Sequence, residues 1–184
     1  MSNALYEFLR QCISDERLQR FDEVLDRRTR HLTVVLENVF HAHNASACLR
    51  TCDCFGIQDV HVIESLNNFD PNPEVALGAS KWLSIHRYTN HDEDVSREAS
   101  AATARCFESL RSDGYKILAT SPVQNSVPLD DVRLDEKTAI LFGAEQTGIS
   151  DFATHEADEL IHIPMFGFTE SFNVSVSALS LIHI

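Results

Sequence analysis

Two short runs, LTVVL at Leu32–Leu36 and TAILF at Thr138–Phe142, constrain this chain more than any other feature. Each is uncharged and apolar or β-branched throughout, the composition of a strand covered on both faces. Such strands belong in parallel sheets, whose crossover connections are helices. The intervening chain supplies the alternation. Helical spacing predicts a helix over His43–Phe55, closed by Gly56 just past its end. Further strands follow at Val60–Ile63, Ile85–Tyr88, Tyr115–Ala119 and Leu160–Ile163. Helices are expected over Val75–Leu83, Asp92–Ser112 (the longest, with acids in its first turn) and Ile149–Glu156. Val123–Val132 reads as a loop. After Pro164 a tight loop over 165–170, containing Gly167, leads into a final helix opened by Ser171 or Asn173 as its cap. The fold class is therefore α/β, a mostly parallel sheet flanked by helices. Ahead of it lie two short amphipathic helices, over 3–13 and 15–28, the second capped by Ser14. They form an N-terminal helical extension over 1–30, followed by the main domain over 31–184.

The 184 residues suffice for one core plus such an appendage. No apolar run approaches the roughly 20 residues needed to span a bilayer. The opening MSNALYEFLRQ lacks the apolar centre of a secretion signal. Five cysteines without disulfide-style spacing fit a reduced, cytoplasmic protein. The net charge of −13 argues against nucleic acid over the surface as a whole. The charge is uneven, however. Residues 1–31 hold six Arg and six acids, so the rest of the chain carries the entire excess. A polyanion surface would have to be local, and Arg17, Arg20, Arg27, Arg28 and Arg30 mark the place. A solvated helix face with internal ion pairs is the plainer reading of the same residues.

Neither GxGxxG nor GxxxxGK[ST] occurs, so the common nucleotide fingerprints are absent. His41, His43, Cys48, Cys52 and Cys54 cluster without any compact zinc spacing. Cys48 and Cys52, four apart on one helical face, read as small buried packing residues, and no metal is expected. Arg50 lies on a helix otherwise made of small and apolar residues. It is either half of an ion pair, with Asp53 or Glu37, or a group for phosphate or a reacting hydroxyl. Asn44 could cap that helix. Glu145, between Gly143 and Gly148, lies just past a strand end, where parallel sheets bind ligands; it could equally cap the helix at Ile149. His155, His162 and His183 read as packing or surface residues. Ser171 lacks the GxSxG elbow of a hydrolase nucleophile.

Three separated stretches, ENVFHAHNASACLRTCDCFG (Glu37–Gly56), ILFGAEQTGIS (Ile140–Ser150) and IHIPMFGFTESFNVSV (Ile161–Val176), resemble in order the three signatures of the SpoU (SPOUT) RNA 2′-O-ribose methyltransferases. VVLENVFHAHN and GASKWL (Gly78–Leu83) look like the TrmH-like branch, the tRNA guanosine-2′-O-methyltransferases, which also carry an Arg-rich helical extension. The resemblance implies an α/β fold with a deep C-terminal trefoil knot, a homodimer with its site completed across the interface, and S-adenosyl-L-methionine as methyl donor. The donor would lie against Thr120, Gly143, Ile163, Met165 and Phe172, largely on backbone groups. Arg50 matches the motif-one Arg, expected to orient and electrostatically stabilise the ribose hydroxyl. Asn44, Glu145, Ser171 and Asn173 match the other polar positions of the catalytic site. The expected reaction is methyl transfer to a ribose 2′-hydroxyl of tRNA, at a D-loop guanosine, with the Arg-rich helices gripping the RNA backbone. The rivals are ribosomal RNA as substrate and a non-catalytic RNA-binding module of the same fold. Phe172 stands where the family has Leu, which reshapes the pocket wall. The sequence ends at Ile184, where relatives continue, and a shortened final helix would weaken the dimer.

Overall fold

The computed structural model describes residues 3–90, 100–122, 126–169 and 171–183. The extension forms α1 (Asn3–Gln11) and α2 (Asp15–Leu25), with the Ser14 side chain accepting from the Arg17 N–H at the start of α2. The main domain runs β1 (Leu32–Glu37), α3 (Ala42–Cys54), β2 (Asp59–Glu64), α4 (Pro73–Ala76), β3 (Ser84–Thr89), α5 (Ala101–Ser112), β4 (Lys116–Thr120), β5 (Val127–Pro128), β6 (Thr138–Phe142), α6 (Asp151–Glu156), β7 (Glu159–His162) and α7 (Val174–Ile182). The seven strands make one sheet, in the order β3-β2-β1-β6-β4-β7-β5, and every pairing is parallel.

The two apolar runs lie side by side as β1 and β6, in register from Leu32 opposite Thr138 to Leu36 opposite Phe142. Alternate residues feed two cores. Val34, Leu36, Ile140 and Phe142 face Cys48, Leu49 and Cys52 of α3 and Ala178 and Leu181 of α7. Val35, Ala139 and Leu141 face Cys106, Phe107 and Leu110 of α5 and Ala153 of α6. This double cover explains why both strands read as continuous apolar runs. Each fully buried Leu or Ile contributes about 1.5–3 kcal/mol.

The elements depart from the sequence reading at their edges. α3 begins at Ala42, with His41 at the cap position and Asn44 inside the helix. Ser150 caps α6, its Oγ accepting from the Ala153 N–H at 3.1 Å, so Glu145 is not a helix cap. Asn173 rather than Ser171 caps α7, accepting from the Ser175 N–H at 2.9 Å. The stretch expected as one helix over Val75–Leu83 is α4 plus a 3-10 turn, Ala79–Lys81. Leu77 (φ 48°) and Gly78 (φ 82°) separate them in the left-handed region. The loop over Val123–Val132 contains β5, formed by pairing with β7, and a 3-10 turn at Leu129–Asp131. The expected start of the longest helix, at Asp92, lies outside the described residues. No helix among the described residues is long and apolar enough to cross a membrane.

The extension is tied down where it meets the domain. Arg28 donates to Asp53 and, at 2.9 Å, to the Ile57 carbonyl, while the Arg30 Nε meets Asp59 Oδ2 at 2.7 Å. Thr29 pairs as a bridge with Ile57. Gly56 has φ +76°, and a Cβ there would sit 2.4 Å from the Arg27 carbonyl oxygen. Gly56→Ala therefore both strains the backbone and pushes the 27–30 segment away. We expect it to lower Tm by at least about 2 °C in differential scanning calorimetry.

Candidate active site

In a parallel sheet all the carboxyl ends lie on one edge, where loops can converge on a ligand. Here β1, β6, β4 and β7 end at Glu37, Phe142, Thr120 and His162, and three separated chain segments meet beyond them. Ala144 and Gly148 exchange hydrogen bonds at 3.0 and 2.9 Å, closing a tight turn that carries Glu145. Gly143 permits the turn, since a Cβ there would lie 2.2 Å from the Gly148 carbonyl carbon.

Glu145 is held on two sides. Asn44 Nδ2 donates to its Oε1 at 2.6 Å, and the Phe40 N–H donates to its Oε2 at 3.2 Å. Asn44 Oδ1 in turn accepts from Asn173 Nδ2 at 3.1 Å. Asn173 Oδ1 accepts from the Ser175 N–H and, at 2.6 Å, from the Ser175 hydroxyl. The relay Asn173–Asn44–Glu145 thus joins the segments around 44, 145 and 173. Burial works against the Glu145 charge. Hydrogen bonds from Asn44, from its own backbone N–H and from those of Phe40 and His41 outweigh it, so the pKa lies below its ordinary value. Glu145 is a carboxylate at neutral pH.

Glu37, which reads in sequence only as a possible partner for Arg50, supports this turn from beneath. It is buried, and its Oε1 accepts from Thr103 Oγ1 at 2.7 Å and Ser150 Oγ at 2.8 Å. Its Oε2 accepts from the Ser150 N–H at 2.8 Å. Asn38 follows in the left-handed region (φ 54°), its Oδ1 accepting from the Ser65 and Leu66 N–H groups at 3.0 and 2.8 Å. It turns the chain so that the Phe40 N–H reaches Glu145. A carboxylate and an amide closing an apolar strand were the available sequence signals for this pair.

Three of the expected donor-site residues lie at neighbouring strand ends. Register sets Ala119 beside Leu141 and Thr120 beside Ile161, so Thr120, Gly143 and Ile163 emerge from three adjacent strands. Thr120 Oγ1 donates to the Leu141 carbonyl at 3.0 Å, leaving its backbone toward the rim. Ile163 and Met165 are half-buried; Phe172 is half-exposed. Ser171 is exposed, and none of the hydrogen bonds among the described residues involves its side chain.

Arg50 stands apart from the relay. Both of its alternative partners are engaged elsewhere, Asp53 with Arg28 and Glu37 with Thr103 and Ser150. Arg50 is exposed and makes no ion pair among the described residues. It follows Asn44 by six positions on α3, so the two lie about 9 Å apart along the axis and about 120° around it. It opens instead into a cleft of about 340 Å³ between α3, α4 and α7, whose other walls include Ala47, Phe55, Val75 and Leu179. Of the extension's arginines, Arg17, Arg20 and Arg27 are exposed, Arg30 is exposed but paired with Asp59, and Arg28 retains a tenth of its side-chain exposure.

A doubly covered parallel sheet with a built polar relay beyond its strand ends defines an α/β enzyme. The chain belongs to the SpoU methylase family: residues 31–183 match the family described as SpoU rRNA Methylase. It is similar to the tRNA (guanosine(18)-2′-O)-methyltransferase of Borreliella burgdorferi, at 41% identity over 95% of this chain and 75% of the relative. To the enzyme of that name from Escherichia coli K12 it is 32% identical, over 91% of this chain and 68% of the relative. The crystal structure of the Aquifex aeolicus TrmH/SpoU tRNA modifying enzyme superposes with a TM-score of 0.79 at 29% identity, over 92% of this chain and 80% of that one. The SpoU methyltransferase AviRb of Streptomyces viridochromogenes, solved with AdoMet, shares the fold (TM-score 0.69, 21% identity, 86% of this chain and 59% of that one).

Two of the three thiols of the motif-one helix are packing groups. Cys48 and Cys52 are buried in the core, as is Cys106 on the other face of the sheet. Burial pushes the Cys48 thiol up to about 12 and raises those of Cys52 and Cys106 as well, so none forms thiolate near neutral pH. Cys12 and Cys54 are exposed. A native titration with a disulfide reagent at pH 8 should register two fast thiols, and all five only after denaturation.

Proposed function

We propose that the protein transfers the methyl group of S-adenosyl-L-methionine to a ribose 2′-hydroxyl of tRNA, at a guanosine of the D-loop, in the cytoplasm. The observation that carries this reading is the Asn173–Asn44–Glu145 relay, which ties all three signature segments into one site. Relatives whose names specify tRNA guanosine-18 support the substrate. The rim fits the donor in kind: apolar Ile163, Met165 and Phe172 offer walls for an adenine, and the strand ends of Thr120 and Gly143 offer backbone polar groups. S-adenosylmethionine, when bound, supplies an electrophilic methyl group, so the protein's task is to place the hydroxyl in line and stabilise the oxygen as it loses its proton.

The chain's own residues divide that task. Glu145, held as a carboxylate, fixes the 143–148 turn and the Asn44 amide. Asn173 fixes the start of α7, and Ser171 lies free at the mouth. Arg50 brings the guanidinium fork that suits a phosphate beside the reacting ribose. Because Arg50 faces away from its own relay, we place it in the active site of a second copy. Half-exposed Phe55, Val176 and Leu179 flank its cleft and form the apolar surface that the homodimer covers. We further propose that the segment between β7 and α7 threads a C-terminal knot, a reading supported by β4 lying between β6 and β7 and by α7 returning onto α3. Residues 1–30 serve as an RNA-binding extension through exposed Arg17, Arg20 and Arg27, while Arg28 and Arg30 fasten it to the domain 31–184.

Labelled S-adenosylmethionine and unmodified total tRNA should yield 2′-O-methylguanosine in the D-loop on nuclease mapping. Label in ribosomal RNA alone would overturn the substrate, and label in neither would overturn the catalytic reading. Arg50→Ala should lower turnover at least about 10²-fold with little change in donor affinity by calorimetry. Mixing inactive Arg50→Ala and Asn173→Ala chains under subunit exchange should restore part of the activity. Failure to complement would place Arg50 in its own subunit's site.

A further inference from the structure

Helix α2 presents a narrow apolar stripe to the domain. Leu18, Phe21 and Val24 are its half-buried positions, and at about 3.6 residues per turn Arg17 and Arg20 fall beside that inward stripe. Asp22 flanks the opposite edge of the same stripe, with Asp15 and Asp26 further round. Arg17 reaches the seam between the extension and the domain through Phe21, while the Arg20 side chain is exposed beside Glu23. The single carboxylate contact of Arg20, to Glu23 at 3.4 Å, is an exposed one and worth little.

The seam holds an ordered stack. The Arg17 guanidinium lies 5.8 Å from the Phe21 ring centre, and the Phe21 ring lies 5.9 Å from that of Trp82, tilted by 54°. Trp82 is nevertheless 51% exposed, with exposed Lys81 beside it. Its backbone is fixed: the Trp82 N–H donates to the Ala79 carbonyl at 2.9 Å, and the Trp82 carbonyl accepts from Gln58 Nε2 at 3.1 Å. The left-handed pair Leu77 and Gly78 sets this turn at its angle. α4 and the turn both pack on α3, and Val75 of α4 lines the cleft that holds Arg50. An indole on a rigid backbone, exposed over half its surface, with Lys81 beside it and the Arg17 guanidinium against the Phe21 ring that backs it, in a chain of net charge −13, suits a partner that offers flat rings and phosphates together. Single-stranded RNA does so, because its bases stack on aromatic side chains while its phosphates take the cations.

We propose that Trp82, backed by Phe21 with Arg17 and Lys81 at hand, is a stacking platform for an unpaired nucleobase of the RNA substrate. This rests on the reading of the protein as an RNA methyltransferase. The platform lies on the same side of the sheet as the Arg50 cleft, so one RNA loop can occupy both.

Trp82 is the only tryptophan of the chain, so its emission reports the platform without labelling. Titration of the intact protein with unmodified tRNA should quench that emission, with the same midpoint as filter binding. Trp82→Leu keeps an apolar side chain against Phe21. It should weaken tRNA binding about 10-fold or more, leaving Tm, donor affinity and the salt slope of binding unchanged. Arg17→Ala should instead lower the salt slope by about one. If wild-type protein methylates tRNA, yet binding leaves the emission unquenched and Trp82→Leu binds as tightly, the platform only docks α2 and the proposal falls alone. If wild-type protein neither binds nor methylates RNA, the methyltransferase reading falls with it.

Discussion

The hydrogen bond between Asn44 and Glu145, 2.6 Å long and joining residues 101 apart in sequence, is the contact on which the rest of the site depends. A partly buried carboxylate gains from donors, and the site supplies them from the first turn of α3 and the loop before it. Losing Asn44 would take one partner from each of Glu145 and Asn173, because its two amide atoms serve one each. The arrangement gives three loops a single geometry. Glu37 repeats the device one layer deeper, where a buried carboxylate with three donors locks the far end of the same turn to β1 and α5.

Arginine does two opposite jobs in this molecule. Arg28 is nearly enclosed and joined to Asp53, and there the gain lies in fixing the extension, since burying it without its partner would be costly. Arg50 and Arg17 are left with open guanidinium groups near apolar or aromatic surface. The difference follows from neighbours rather than residue type. It also explains how a chain so acidic overall presents cations locally. Asp53 and Asp59 are taken up by the structural arginines, and Glu37 and Glu145 by backbone N–H groups and polar side chains.

Much of this was legible in the residues. LTVVL and TAILF had to be doubly covered strands, and they are the adjacent β1 and β6 of the sheet. Gly56 ends the segment after α3 in the left-handed conformation expected of it. What was not legible depended on tertiary position. Ser171 and Asn173 are equally good caps in isolation; in the fold Asn173 takes the Ser175 N–H and is held in place by Asn44. Leu77 occupies a conformation that an apolar side chain seldom takes, so the break in Val75–Leu83 had no local signal. β5 spans two residues and exists only through β7. The role of Glu37 was hidden because both of its partners, Thr103 and Ser150, lie far along the chain.

Those long sequence separations also govern how the molecule comes into being. The bond from Ser150 to Glu37 closes 113 residues, and that from Asn173 to Asn44 closes 129. A purely parallel sheet offers no hairpins to shorten these loops, and non-local topologies of this kind fold slowly. During synthesis, β1 through β3 can pair with one another early, but β6 must later insert between β1 and β4. Until then one flank of β1 has no strand beside it, and Asn44 waits for a residue not yet translated. The site is thus incomplete until the segment that carries Asn173 has joined Asn44.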